Sequence, residues 1–107
     1  MSRPLPLRAA ATALVGPTIW AAHFLAVYAS ESLLCRAGAA GWHDGVVTAA
    51  TLVALLSIAW HGGSQWSRRK MGGARHELAR IAIALDALSA LAVCFAGLAA
   101  ATLPACA

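Results

Sequence analysis

Three long apolar runs, at about residues 9–34, 46–60 and 78–103, constrain this 107-residue chain more than any other feature. A bilayer-crossing α-helix needs about 20 residues. The outer runs reach that length, and the middle one does so when Trp42 and His61 are counted as interfacial ends. No run alternates polar and apolar residues with period two, which argues against transmembrane strands. Helices fit instead, because a backbone group in lipid must find its partner within its own segment. Only 11% of the residues are charged and 61% are hydrophobic, whereas an ordinary soluble domain has about 25% charged residues. That is too little polar surface for a water-soluble globule, and disorder needs the opposite bias. The expectation is one all-α integral membrane domain over 1–107, with transmembrane helices at about 9–34, 44–61 and 76–103.

Arg3 and Arg8 precede the first run, as in a signal peptide, but the run continues past Tyr28. A signal-peptide core is 7–15 residues long, so this run reads as a retained helix. Within it, Pro17 lacks the N–H that would reach the carbonyl of Ala13, and a kink is expected near Gly16-Pro17.

The segments between the runs differ in charge. Residues 36–45 are Gly-rich and nearly neutral, whereas 62–73 are bracketed by glycine pairs and strongly basic. With three spans, the N-terminal tail and the second loop share one side. That side holds Arg3, Arg8, Arg68, Arg69, Lys70, Arg75 and Arg80, and only Arg36 lies opposite. The positive-inside rule then places the N-terminus and second loop in the cytoplasm and the C-terminus outside. Trp42, Trp60 and Trp66 fall near the expected interfaces. The basic residues lack the aromatic interleaving or recognition-helix pattern of a nucleic-acid binder, so no nucleic-acid partner is expected. Arg68, Arg69 and Lys70 are candidates for contact with anionic lipid or with an acidic partner surface, beyond their role in fixing orientation.

The orientation puts Cys35 and Cys106 at the same outer ends of helices one and three. An oxidising compartment would allow a disulfide between them, closing a loop of roughly 70 residues at a stabilisation of about 4 kcal/mol; the alternative is two unpaired thiols at helix ends. Cys94, inside the third run, reads as a small apolar filler.

Ionisable residues inside a span face protein rather than lipid. His23 lies near mid-depth, on one face with Trp20, Phe24, Val27 and Glu31. A hydrogen-bonded contact to another helix is the favoured role over a proton relay or a ligand to haem or metal. Asp86 lies roughly 12 Å into the third helix with Ser89 on the adjoining turn, and an unpaired carboxylate there would cost about 2.5–3.5 kcal/mol. Two pairings stand equally open for it: His23 at a comparable depth, or Ser57 or Thr51 with the carboxyl protonated. The four histidines fall at different depths, so no haem pair is expected. Glu31, Cys35, His43 and Cys106 share the outer face, but their spacing matches no metal motif. No cofactor and no catalytic residue are expected.

The small-residue rows Ala92-x3-Ala96-x3-Ala100, Gly97-x3-Ala101 and Ala50-x3-Ala54 permit close helix approach. Three thin helices of this kind enclose little space, which favours an interaction subunit over a self-contained enzyme or carrier. The pattern Gly16-Pro17-x2-Trp20-x2-His23-Phe24-x3-Tyr28-x6-Cys35, followed by Gly38 and by Pro104-x-Cys106, resembles a family of small bacterial three-helix membrane proteins associated with haem-copper cytochrome c oxidases. The resemblance covers helix one and the extreme C-terminus, with Trp20, His23, Tyr28, Cys35 and Cys106 at matching positions. It implies a non-catalytic accessory or assembly role beside an oxidase in the bacterial inner membrane. The alternatives are a holin-like pore-former, for which the tail after Leu103 lacks charge, and an oligomeric small carrier in which Asp86 titrates.

Overall fold

The first apolar run is broken rather than straight. In a computed structural model of the protein, which describes residues 7–68, 70 and 73–106, helix α1 (Leu7–Ala13) meets α2 (Val15–Arg36) at Leu14. The bend there is 52°. Pro17 is the cause expected from sequence: it cannot donate to Ala13, and it is tolerated in the first turn of α2, where helix donors lack partners anyway. The break falls three residues ahead of the proline.

Gly38 ends α2. Its φ of +68° suits a residue without Cβ. The N–H of Ala39 donates to the Leu34 carbonyl at 2.8 Å and that of Gly38 to Cys35 at 3.3 Å, the paired bonds of a Schellman stop. A 3-10 turn (Ala40–Trp42) leads directly into α3 (His43–Arg68).

Helix α3 corrects the sequence reading. It was expected over 44–61 with a loop from Gly62, but it continues two turns further to Arg68. Two consecutive glycines cost about 1 kcal/mol each in a helix. Here the buried face carries on beyond them: Val47, Ala54, Ile58 and Gln65 are all buried at helical spacing. Ser64 also donates back to the Trp60 carbonyl at 3.0 Å. Helix α4 (Ala74–Thr102) lies within two residues of expectation. Gly73 precedes it with φ +78° and ψ −148°, a backbone state open essentially to glycine alone.

Helices α2, α3 and α4 all pack on one another, and α1 lies against α4. The result is a rod of 59 × 22 × 15 Å. Its apolar centre is Ala54, Ile58 and Val93, with Ile19, Leu55 and Ala90 around them. Ala79 and Ala82 are buried on α4, as their small size permits. The outer surface is apolar: Leu25, Leu52, Leu88, Leu91, Phe95 and Leu98 are each more than half exposed. Cys94 is exposed as well, and so is not the interior filler expected. Helices α3 and α4 are each long and apolar enough to cross a membrane, and α1 with α2 makes a third span if the bent pair counts as one. Among the described residues there is no strand.

A disulfide joins Cys35, at the end of α2, to Cys106, beyond α4, with Cα atoms 5.5 Å apart. Cys106 adopts φ +64°, a left-handed conformation that costs roughly 1–2 kcal/mol outside glycine.

Candidate functional site

Along the rod's axis, the buried polar side chains form separate levels. Counted on α3, they fall at His43, Thr51 and His61, roughly 12 Å and 15 Å apart by the helical rise, with Gln65 buried about one turn beyond His61.

The level at His61 is the most elaborate. His61 Nδ1 shares a 2.6 Å hydrogen bond with Asp86 Oδ2, and both side chains are buried or nearly so. Three helices converge on this pair because two of them present glycine to it. On α2, a Cβ at Gly16 would overlap Asp86 Oδ1 and lie 3.1 Å from Asp86 Cα and 3.2 Å from Ser89 Oγ. On α3, a Cβ at Gly62 would sit 3.5 Å from Asp86 Oδ2. Ser89 is buried one turn along α4 and forms part of the wall against Gly16. A carboxylate that sets its imidazole neighbour in one orientation is the arrangement used to position a proton or to hold a histidine rigid.

At the next level, His23 Nε2 is hydrogen-bonded to Thr51 Oγ1 at 3.0 Å. Glycine again permits the approach, since a Cβ at Gly97 would lie 2.8 Å from Thr51 Oγ1 and 3.2 Å from its Cγ2. Each clasp therefore joins two helices by a side-chain bond where a third backbone comes within one atom's width.

These contacts revise the expected pairings. His23 does not meet Asp86, and Thr51 serves His23 instead. Ser57 turns back to its own helix, donating to the Val53 carbonyl at 2.7 Å. Sequence reasoning misses His61, which reads as an interfacial helix end just ahead of Gly62-Gly63. One signal was available. His61 falls between Ile58 and Gln65 on the seam that Val47 and Ala54 begin, so the inward face was written through the glycines.

His43, placed by sequence in the 36–45 connection on the outer face, is instead the first residue of α3 and is buried. Its Nδ1 lies 3.8 Å from the carboxylate of the exposed Asp44. Glu31 is half-buried near the outer end of α2, beside a cavity of about 410 Å³ that it lines with Tyr28, Ala96, Ala100 and Pro104. With Cys35 and Cys106 joined as a disulfide, the outer-face set of Glu31, Cys35, His43 and Cys106 has no thiolate to offer. Among the described residues no three His, Cys, Asp or Glu side chains gather closely enough for a metal ion.

Of the basic candidates, Arg68 ends α3 and is exposed, and Lys70 is exposed just beyond it. Arg3 and Arg69 lie outside the described residues. Arg68 also borders a groove of about 670 Å³ between α1, α2 and α3, which has His61 in its wall. On the far side of α2, Trp20, Phe24 and Tyr28 stand in an exposed row. Their ring centroids are 6.1 Å and 4.3 Å apart in succession.

No protein-family model, curated protein or solved structure matches the chain, which leaves the clasps and the surfaces around them as the basis for a functional reading.

Proposed function

We propose that the chain is a non-catalytic accessory or assembly subunit of a respiratory complex in the bacterial inner membrane, with a haem-copper cytochrome c oxidase as the partner. In this reading α1 and α2 act as one bent span. The N-terminus and the α3–α4 connection face the cytoplasm, and the Cys35–Cys106 bridge faces the oxidising outer compartment. The distribution of basic residues supports the orientation, and the disulfide fits the compartment.

The observation that carries the functional reading is how the residues of the family-like pattern divide on α2. His23 and Cys35 turn to the chain's own helices, where one bonds Thr51 and the other Cys106. Trp20, Phe24 and Tyr28 lie ring against tilted ring on the exposed side, with interplanar angles of 49° and 41°. A rigid row of large rings, one with a phenol hydroxyl, offers broad contact area at little cost in conformational entropy to a neighbouring membrane protein. The test is capture of the tagged chain from native membranes in mild detergent. Oxidase subunits should co-purify with the wild type and be depleted when Phe24 and Tyr28 are both replaced by Ala. Oxidase purified intact and active without the chain, together with capture that recovers none, would contradict the proposal.

One observation favours a second reading, an oligomeric carrier that uses Asp86. Asp86 Oδ1 and His61 Nε2 are buried with no hydrogen-bond partner among the described residues, which leaves both atoms able to take a transported ion or proton donor. Asp86→Asn with transport intact would exclude it.

A further inference from the structure

The groove bordered by Arg68 changes character along its length. At one end its walls are Thr12 on α1 and Ser64, Gln65 and Arg68 on α3; towards the middle of the rod they become Val15, Ile19, Leu56 and Trp60. Ser57 and His61 lie beside them, each already hydrogen-bonded within the bundle. The two walls run antiparallel, so Thr12 lies at the end of Arg68 and Ile19 at the end of Leu56. On α3 the lining covers residues 56–68, roughly 18 Å at the helical rise. One bilayer leaflet with its headgroups is about 20–22 Å thick. Arg8 lies one turn before Thr12 on α1 and, like Arg68 and Lys70, is exposed at the polar end. Its carbonyl accepts the Thr12 hydroxyl at 2.7 Å.

We infer that this groove is a binding site for one anionic phospholipid of the cytoplasmic leaflet. The phosphate is held by Arg68 beside the Gln65 amide, with Arg8 and Lys70 exposed at the same end, and an acyl chain lies along Ile19, Leu56 and Trp60. Polarity gradient, length and sign of charge all match this occupant. A partner helix would be apolar along the whole contact and would leave Gln65 and Arg68 without a counterpart. The inference rests on the reading of the chain as a membrane-spanning bundle with its basic end in the cytoplasm.

The test uses full-length, disulfide-bonded protein in mild detergent, titrated separately with phosphatidylglycerol and phosphatidylcholine, with bound lipid counted by native mass spectrometry. Wild type should retain one phosphatidylglycerol in preference to phosphatidylcholine. Arg68→Gln should reduce that preference about fivefold, the equivalent of one basic contact at an anionic leaflet, and should leave phosphatidylcholine binding unchanged. Ser64→Trp, which fills the groove, should displace both lipids while circular dichroism shows unchanged helix content. Equal retention of the two lipids, or a preference insensitive to Arg68→Gln, would overturn the inference. So would displacement of the lipid by inorganic phosphate, which would mark a site for free phosphate. Alkaline carbonate extraction of native membranes separates this outcome from failure of the underlying reading. A chain that stays in the membrane without lipid preference refutes only the lipid site, whereas a chain released by carbonate refutes the membrane-spanning bundle itself.

Discussion

The same substitution, glycine to alanine, should have opposite effects at two positions that flank one carboxylate. Within a helix, alanine is more favourable than glycine by up to about 1 kcal/mol. Gly62, in the interior of α3, should realise most of that gain, because its new Cβ meets Asp86 Oδ2 at 3.5 Å, an ordinary contact. Gly16 lies in the first turn of α2, where the gain is smaller, and its Cβ would overlap Asp86 Oδ1. Rotation of the carboxylate is opposed by its bond to His61, and Asp86 Cα, at 3.1 Å, belongs to the backbone. Helix α2 must therefore lift away from α4. Overpacking of this kind costs about 1–3 kcal/mol, while the bond from Asp86 to His61, which joins α4 to α3, is kept. Gly16→Ala should lose about 1–3 kcal/mol net, and Gly62→Ala should gain up to about 1 kcal/mol. Reversible unfolding in mixed micelles of rising dodecyl sulfate fraction, followed by circular dichroism, measures both. A Gly16→Ala protein as stable as wild type would refute the close approach of α2 to Asp86.

The remaining predictions concern the covalent and polar links. Replacing Cys35 and Cys106 together by Ser should lower stability by about 2–4 kcal/mol in the same assay, given the 71-residue separation; an unchanged midpoint would show that the bridge constrains nothing. In a double-mutant cycle, His61→Ala and Asp86→Ala should be coupled by about 1–2 kcal/mol, and independent effects would contradict the pairing. Thr51→Val keeps the side-chain shape but removes the hydroxyl bonded to His23. It should cost about 1 kcal/mol, and full retention of stability would argue against that bond.

The features legible in the sequence were those set by local chemistry. The apolar runs mark α3, α4 and the bent α1–α2 pair, because bilayer thickness fixes the length required. Pro17 announces the break at Leu14 through its missing donor. Cys35 and Cys106 could be considered together because the two helices between them, α3 and α4, bring the chain back to the same end. The partner of Asp86 was not legible. The sequence offered His23, Thr51 and Ser57 at comparable depth, and the choice of His61 depends on α3 running unbroken through Gly62-Gly63. Gly62, the first of the glycines that read as a stop, is where α3 comes close to Asp86. Gly16 likewise reads as half of a Gly-Pro break until α4 is seen packed against it.

Side-specific labelling in intact cells tests the central claim most directly, that a membrane-spanning bundle holds its basic end in the cytoplasm and its disulfide outside. Lys70 is the chain's single lysine, and it lies at the opposite end of the rod from Cys35 and Cys106. With membrane-impermeant reagents, Cys35 and Cys106 should react with a thiol reagent after an impermeant reductant is applied to intact cells. Lys70 should react with an amine reagent only once the cells are opened. Labelling of Lys70 in intact cells, with the disulfide shielded until lysis, would contradict the account.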